Sequence, residues 1–317
     1  MITSDDVLSA DQRIRDHVRT TPLQKSHLLS GEGCLDVMMK LENFQETGSF
    51  KLRGAFNKLL MMDESSRSRG VVTASTGNHG AAVARSGRTL GVPVRVFVPE
   101  NADPGKLNAI ESDGASVVKV GRDCVETESA ARSHAVSESL EYLSPYNDPD
   151  VIAGQGTIGV EMLRQTQRLD AVFIAVGGGG LISGVGLHLK SVNPSLEVIA
   201  CSPRNSAVMH HSLQSGTIID MESQETVSDA TAGGIESGSI TFDICRDIVD
   251  SSILVSESEI ISAMRLLIGD HHLMVEGAAG VAVAGFLKCR ERLAGRSVGI
   301  ILCGANASAD VLRKVIS

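Results

Sequence analysis

The sequence predicts an α/β protein of two lobes, each a parallel sheet covered by helices on both faces. Two observations carry that prediction. From residue 70 onward, short apolar runs rich in β-branched residues alternate with helical stretches. These runs fall into two groups, separated by "SPYNDPDVIAGQG" at 144–156, which reads as irregular. Near-continuous apolar strands are what burial on both sheet faces demands.

In the first group, "GVVTAS" (70–75), "VPVRVFV" (92–98) and "ASVVKV" (115–120) are expected strands. "GNHGAAVARSGRTL" and "GKLNAIESDG" lie between them and read as helices closed by a glycine. In the second group the expected strands are "AVFIAV" (171–176), "LEVIAC" (196–201) and "VGIILC" (298–303). The expected division is a large domain of residues 1–51 and 147–317 and a small domain of residues 52–146.

At 317 residues the chain is long enough for two such lobes. Its 32 glycines and 3 % aromatic content point to many tight turns around an aliphatic interior. A formal net charge of −9 argues against nucleic-acid binding, which needs a basic face. No apolar run approaches the roughly 20 residues that cross a bilayer. The N-terminal "MITSDDVLSADQRIRDH" is acidic and polar, unlike a signal peptide. The expectation is therefore a cytoplasmic protein with neither nucleic acid nor membrane as partner. Cys34, Cys124, Cys201, Cys245, Cys289 and Cys303 form no CxxC pair and read as thiols in a reducing compartment.

Ligands in such folds bind beyond the carboxyl ends of strands, so the loops there deserve the closest reading. The first runs from the strand "AVFIAV" into Gly177, Gly178, Gly179 and Gly180, with a helix starting near Leu181. Four glycines cost backbone entropy. Either they make a tight strand-to-helix turn, or their unencumbered N–H groups cradle a phosphate with help from the helix dipole. The run lacks the Lys-Ser/Thr of a P-loop and the spacing of a dinucleotide fingerprint, which leaves a terminal phosphate on a smaller cofactor.

The second loop, "TASTGNHGAAVA" (73–84), follows a strand and opens a helix that Ser75 and Thr76 could cap. Its small and polar groups, Ser75, Thr76, Gly77 and Asn78, could instead hold a carboxylate. In the third, Cys303 stands at a strand tip before Gly304, as a buried thiol or a ligand contact. Lys51, in "NFQETGSFKLRGA" (43–55), follows a Thr-Gly-Ser turn signal at a helix start. It is either a solvated lysine or an amine held for chemistry. An amine near a bound phosphate ester suggests a Schiff base with pyridoxal phosphate.

These residues, in this order, resemble one family. "TPLQKSHLLS", "KLENFQETGSFKLRGA", "STGNHG", "VIAGQGTIGVE", "VGGGGLISG", "EGAAGVAVA" and "LCGAN" are similar to the motifs of the fold type II, tryptophan synthase β-like pyridoxal-phosphate enzymes. Within them, the chain is similar to the threonine/serine dehydratase and serine racemase group. The resemblance implies pyridoxal 5′-phosphate on Lys51, with Phe50 packed beside its ring and Asn78 bonded to the ring's 3′ oxygen. It implies that Ser75, Thr76, Gly77 and His79 hold the substrate carboxylate. Gly177 to Gly180, with Leu181, would bind the phosphate. Cys303 would face the pyridine nitrogen, with Glu276 near the cofactor. Lys51, freed by the incoming amino group, would act as base at Cα, with Thr76 as the hydroxyl on the other face. The implied activity is β-elimination from a small β-hydroxy amino acid such as L-threonine or L-serine, giving a 2-oxo acid and ammonia. Amino-acid (serine) racemisation is the alternative, and relatives of this kind commonly form homodimers.

Four departures refine these expectations. Ser202 and Val208 stand where metal-binding relatives carry acidic ligands, so no metal site of that type is expected. Gly233, in "ATAGGIESG", replaces an aspartate usual in the dehydratases and is similar to the dehydratases of hydroxyectoine breakdown. Thr76 occupies the position of the serine that racemases use. The sequence ends soon after "LCGAN", so the regulatory domain of biosynthetic threonine deaminases and its feedback inhibition are not expected.

Overall fold

A computed structural model describes residues 2–31, 36–102 and 104–317. Cys34 lies outside the described residues; the other five cysteines are free. The strands in chain order are β1 (Leu23–Lys25), β2 (Asp36–Lys40), β3 (Val71–Ala74), β4 (Val94–Val98), β5 (Ser116–Lys119), β6 (Glu141–Tyr142), β7 (Ala171–Ala175), β8 (Glu197–Pro203), β9 (Ser251–Val255) and β10 (Ser297–Ile301). They form a six-stranded sheet in the order β1-β2-β10-β7-β8-β9 and a four-stranded sheet in the order β5-β4-β3-β6. Every pairing is parallel except that of edge strand β1 with β2. The chain thus has two parallel-sheet layers, as its alternating pattern predicts.

All six expected strands are present, and β1, β2, β6 and β9 join them. In the four-stranded sheet, Val71, Val94 and Val96 face one apolar cluster with Leu52, Phe56 and Val83, while Val72 and Phe97 face Ala131 and Ala135 on the other side. The period-two alternation and the burial of both faces follow from the pleat. The six-stranded sheet carries the larger core, which runs from Val37 and Met39 through Phe173, Ile199 and Ile300 to Val281 and Phe286.

The segment 144–156 corrects one expectation. Only its first residues are irregular, because a helix begins at Pro149 and runs to Gln165. The Asp148 side chain accepts from the N–H groups of Asp150 and Val151, with Pro149 behind it, a strong start signal. The glycines within the segment serve close packing rather than irregularity. A Cβ on Gly154 would lie 2.6 Å from the Arg53 carbonyl oxygen, so the helix Lys51–Met61 crosses here almost backbone to backbone.

The helix Lys51–Met61 buries Leu52, Ala55, Phe56 and Leu59, an i, i+3, i+4, i+7 face. A second buried face carries charge. The Arg53 guanidinium donates to both Glu42 oxygens at 2.8 Å each and to the Glu161 oxygens at 2.7 and 3.0 Å. Lys40 Nζ donates to the same Glu161 at 2.5 Å and to the Thr21 carbonyl at 2.7 Å. Two cations thus balance two carboxylates in the interior, and Lys40, Glu42 and Arg53 are wholly buried. Burial works against the charge on Arg53, but Glu42 and Glu161 outweigh it and raise its pKa. The network ties β2 and two helices together within two residues of Lys51.

Candidate active site

Beyond the end of β10 the chain runs on through 302–306, and the segment before Lys51 docks alongside it. Phe50 N–H donates to the Cys303 carbonyl at 3.0 Å, Ser49 pairs with Gly304 as an antiparallel bridge, and Ala305 N–H donates to the Gly48 carbonyl at 2.8 Å. Lys51 therefore begins its helix beside the β10 tip. Its Nζ donates to the Pro145 carbonyl at 2.7 Å and lies 5.2 Å from the Phe50 ring centre. Burial favours the neutral amine and lowers its pKa to about 8, against the opposing fields of Cys303 and Glu276.

Cys303 Sγ sits 3.8 Å from Glu276, at the start of the helix Gly277–Cys289. Both side chains are buried. Burial raises the Cys303 pKa well above the usual thiol value, keeping it protonated, and pushes the Glu276 carboxyl up to about 7 despite a bond from Asn78. Asn78 Nδ2 spans the Glu276 oxygens at 3.1 and 2.8 Å, and its Oδ1 accepts from Asn306 Nδ2 at 2.7 Å. Asn78 opens the helix that follows β3 in the other sheet, so this contact faces the carboxyl ends of β3 and β10 toward each other.

The glycine turn lies at the tip of β7, next to β10 in the sheet. Gly179 has φ +88°, open to glycine at little cost, and the helix Gly180–Val192 follows. A Cβ on Gly178 would fall 2.5 Å from the Tyr146 ring, so only a bare Cα lets that ring lie against the turn. Thr241 Oγ1 holds the Gly178 carbonyl at 2.7 Å. No group among the described residues accepts from the N–H groups of Gly178, Gly179 and Gly180. Unpaired N–H groups at a helix start make an anion cradle. Pro145, which accepts from Lys51, directly precedes Tyr146, which covers Gly178, so two consecutive residues join amine and cradle.

The loop at 73–84 departs from expectation in two places. Gly77 is the N-cap and no side chain caps the helix; the Ser75 hydroxyl instead accepts from Gly77 N–H at 3.2 Å within the turn. The His79 imidazole is buried, with Nε2 3.0 Å from the Leu143 carbonyl. Burial, then the nearby Lys51, depresses its pKa to about 3. The ring is neutral and committed to Leu143, which leaves its backbone N–H for the loop. Thr76 is partly exposed in the same turn, and Leu181 is buried in the first turn after the glycines. Sequence reasoning missed Asn306 and the carbonyl of Pro145, although "GAN" after a strand tip and a proline before Tyr146 were visible signals. Ser202 is buried and donates to the Val176 carbonyl at 3.4 Å, while Val208 packs in the core.

An amine of lowered pKa, a buried neutral thiol and an anion cradle at adjoining strand tips define an enzyme site for a phosphorylated carbonyl cofactor. The chain matches the family described as pyridoxal-phosphate dependent enzyme over residues 14–304, and it belongs to that family. It is 36 % identical over 315 residues to the L-threo-3-hydroxyaspartate ammonia-lyase of Saccharomyces cerevisiae, covering 99 % of this chain and 96 % of that one. It is also 36 % identical over 317 residues to the L-threonine ammonia-lyase of Thermotoga maritima, covering 100 % and 79 %. Among solved structures, maize serine racemase superposes with a TM-score of 0.93 at 30 % identity, covering 99 % and 97 %. The neighbours share the type II fold, and pyridoxal 5′-phosphate is the cofactor.

The residues present fit that group. The unpaired glycine N–H groups suit its phosphate, and Lys51 offers an amine that deprotonates near pH 8. Gly178→Ala tests the cradle. The added methyl must displace Tyr146, an overpacking cost of about 1–3 kcal/mol. Cofactor affinity is expected to fall roughly tenfold or more in a spectral titration. Affinity within twofold of the parent would refute the role of Gly178.

Proposed function

We propose that the protein is a pyridoxal-phosphate-dependent ammonia-lyase that dehydrates a small β-hydroxy amino acid to a 2-oxo acid and ammonia. The observation that carries this reading is the juxtaposition of Lys51 with the buried, protonated Cys303. When bound, the cofactor supplies an electron sink conjugated to the substrate Cα. Lys51, neutral in part near pH 8, takes the Cα proton. Cys303, kept protonated by burial, would offer the cofactor ring a neutral partner where a carboxylate would protonate it, which would favour β-elimination over transamination. The glycine N–H groups would anchor the phosphate, and the Ser75–Gly77 turn would orient the substrate carboxylate. Loss of the Cα proton and the β-hydroxyl as water, then hydrolysis of the resulting enamine, balances the reaction.

The ammonia-lyase relatives support this reading, and the yeast enzyme's name adds 3-hydroxyaspartate to the candidate substrates. A second reading, amino-acid racemisation, draws on the Thr76 hydroxyl in the turn and on the likeness to maize serine racemase. We further infer a cytoplasmic homodimer, with residues 52–146 as the small domain and no metal of the family type. Among the described residues no helix is long and apolar enough to cross a membrane. The deciding assay incubates the yellow holoenzyme with L-threonine, L-serine, 3-hydroxyaspartate and hydroxyectoine-derived compounds. It measures 2-oxo acid, ammonia and the D-enantiomer. Equimolar 2-oxo acid and ammonia are expected; a D-enantiomer in excess of 2-oxo acid would establish the racemase instead.

A further inference from the structure

The residues that join Lys51 to the glycine turn are themselves held from outside the site, and the holder is one residue, through its backbone N–H and its carboxylate. Glu236 lies in the glycine-rich stretch 230–238. Its backbone N–H donates to the Tyr146 hydroxyl at 2.9 Å, and its Oε2 accepts from Asn147 Nδ2 at 3.1 Å. Its Oε1 lies 2.9 Å from an Arg132 nitrogen. Arg132 belongs to the helix Cys124–Ser137, which covers the four-stranded sheet. Its guanidinium is fixed by Glu128 at 2.7 Å and stacks 4.1 Å from the Tyr142 ring centre. Asn147 Oδ1 also accepts from Ile240 N–H at 3.0 Å, which closes the connection on the far side.

We propose that Glu236 is a positioning residue for the cofactor site, clamping the Pro145–Asn147 loop between the helix Cys124–Ser137 and the stretch 230–238. The chain of contacts is short. Arg132 fixes the Glu236 carboxylate; that carboxylate holds Asn147, while the Glu236 backbone N–H holds Tyr146; Tyr146 lies on Gly178, and Pro145 accepts from Lys51. Glu236 bonds Asn147, Tyr146 and Arg132 and makes no hydrogen bond to Lys51, Cys303 or the glycine turn. It acts through a loop that has no strand or helix of its own. Its ion pair bridges elements that pack on different sheets, so its loss frees the loop without opening either core. An ion pair this exposed is weak as a source of global stability. Its leverage lies in the order that it gives the loop.

This inference rests on Lys51 and the glycine turn forming the cofactor site, and the test separates the two. The variants are Glu236→Ala, Glu236→Gln and Arg132→Met. Each is measured for cofactor dissociation constant, absorption spectrum of the bound cofactor, kcat and KM, and thermal midpoint. Glu236→Ala is expected to weaken cofactor binding at least fivefold and to shift the visible band. The thermal midpoint of the apo-protein should stay within a few degrees of the parent. Glu236→Gln keeps the contact with Asn147 and loses only the ion pair, so it should fall between the parent and Glu236→Ala, close to Arg132→Met. Cofactor affinity and spectrum unchanged in Glu236→Ala, with the parent binding normally, would overturn the clamp alone. So would an affinity loss matched by a proportionate fall in the apo-protein's thermal midpoint. A parent protein that takes up no cofactor would overturn the reading of the site, and the clamp with it.

Discussion

Lys51→Ala is expected to lower 2-oxo acid production by on the order of a thousandfold or more, because in the proposed mechanism it removes both the attachment point and the base. The variant should still fold. In the apo-protein the Lys51 amine has a pKa of about 8, below its ordinary value of 10.5, because burial disfavours its charge. The unfolded chain therefore binds more protons than the folded one between about pH 8 and 10.5, and stability contributed by this group rises with pH across that window. Below about 8 the folded protein bears the full cost of a buried cation, which Lys51→Ala removes. Its apo-form should thus melt no lower than the parent at neutral pH, separating lost chemistry from lost structure. The same pKa sets how the parent loads its cofactor. Only the neutral amine has a lone pair to bond a carbonyl carbon, so the rate of cofactor uptake by apo-protein should climb through pH 8 and level off above it. An uptake rate flat from pH 6 to 9, a range that spans the amine's midpoint near 8, would contradict the placement of Lys51.

The parts of this site that were legible in the sequence are those whose cost is local. Four consecutive glycines are entropically unfavourable wherever they occur, so Gly177–Gly180 declare a purpose without any knowledge of Tyr146. Lys51 stands out because it follows a turn signal at a helix start, and Cys303 because it ends an apolar strand. The motif resemblance supplied roles that spacing could not. The strands missed by pattern are those whose residues compromise it. β6 is two residues long, β1 is three with a lysine, and β9 is an edge strand that begins with two serines. β2 ends in Lys40, which reads as a solvent-facing terminus and is in fact wholly buried. The segment 144–156 reads as irregular because glycines inside a helix look like breaks until the neighbouring helices that need them are known. His79 was placed in the loop by its position in the motif, whereas its ring direction is set by the carbonyl of Leu143, a partner 64 residues away. Such contacts have no sequence signature, because the partner is chosen by the fold.

The buried charges give the second large effect, and it follows from which ion is left alone. In Arg53→Met the guanidinium disappears while Glu42 and Glu161 remain in an interior with one cation, Lys40. Breaking a buried pair from one side typically costs about 3–5 kcal/mol, since the orphaned carboxylate has lost its water and its partner. A fall of that size in urea unfolding of the apo-protein is expected, with a reduced cofactor affinity because Arg53 sits two residues beyond Lys51 on the same helix. Removing a second charge should then help. With Arg53→Met and Glu42→Gln combined, the remaining ions are Lys40 and Glu161, which already contact each other at 2.5 Å. The double variant should therefore be more stable than Arg53→Met alone, although it has lost more of the native network. Additive losses in the double variant would mean that hydrogen-bond geometry, rather than charge balance, holds this region. In that case Arg53→Met should be no worse than Glu42→Gln, a comparison that the same unfolding series makes directly.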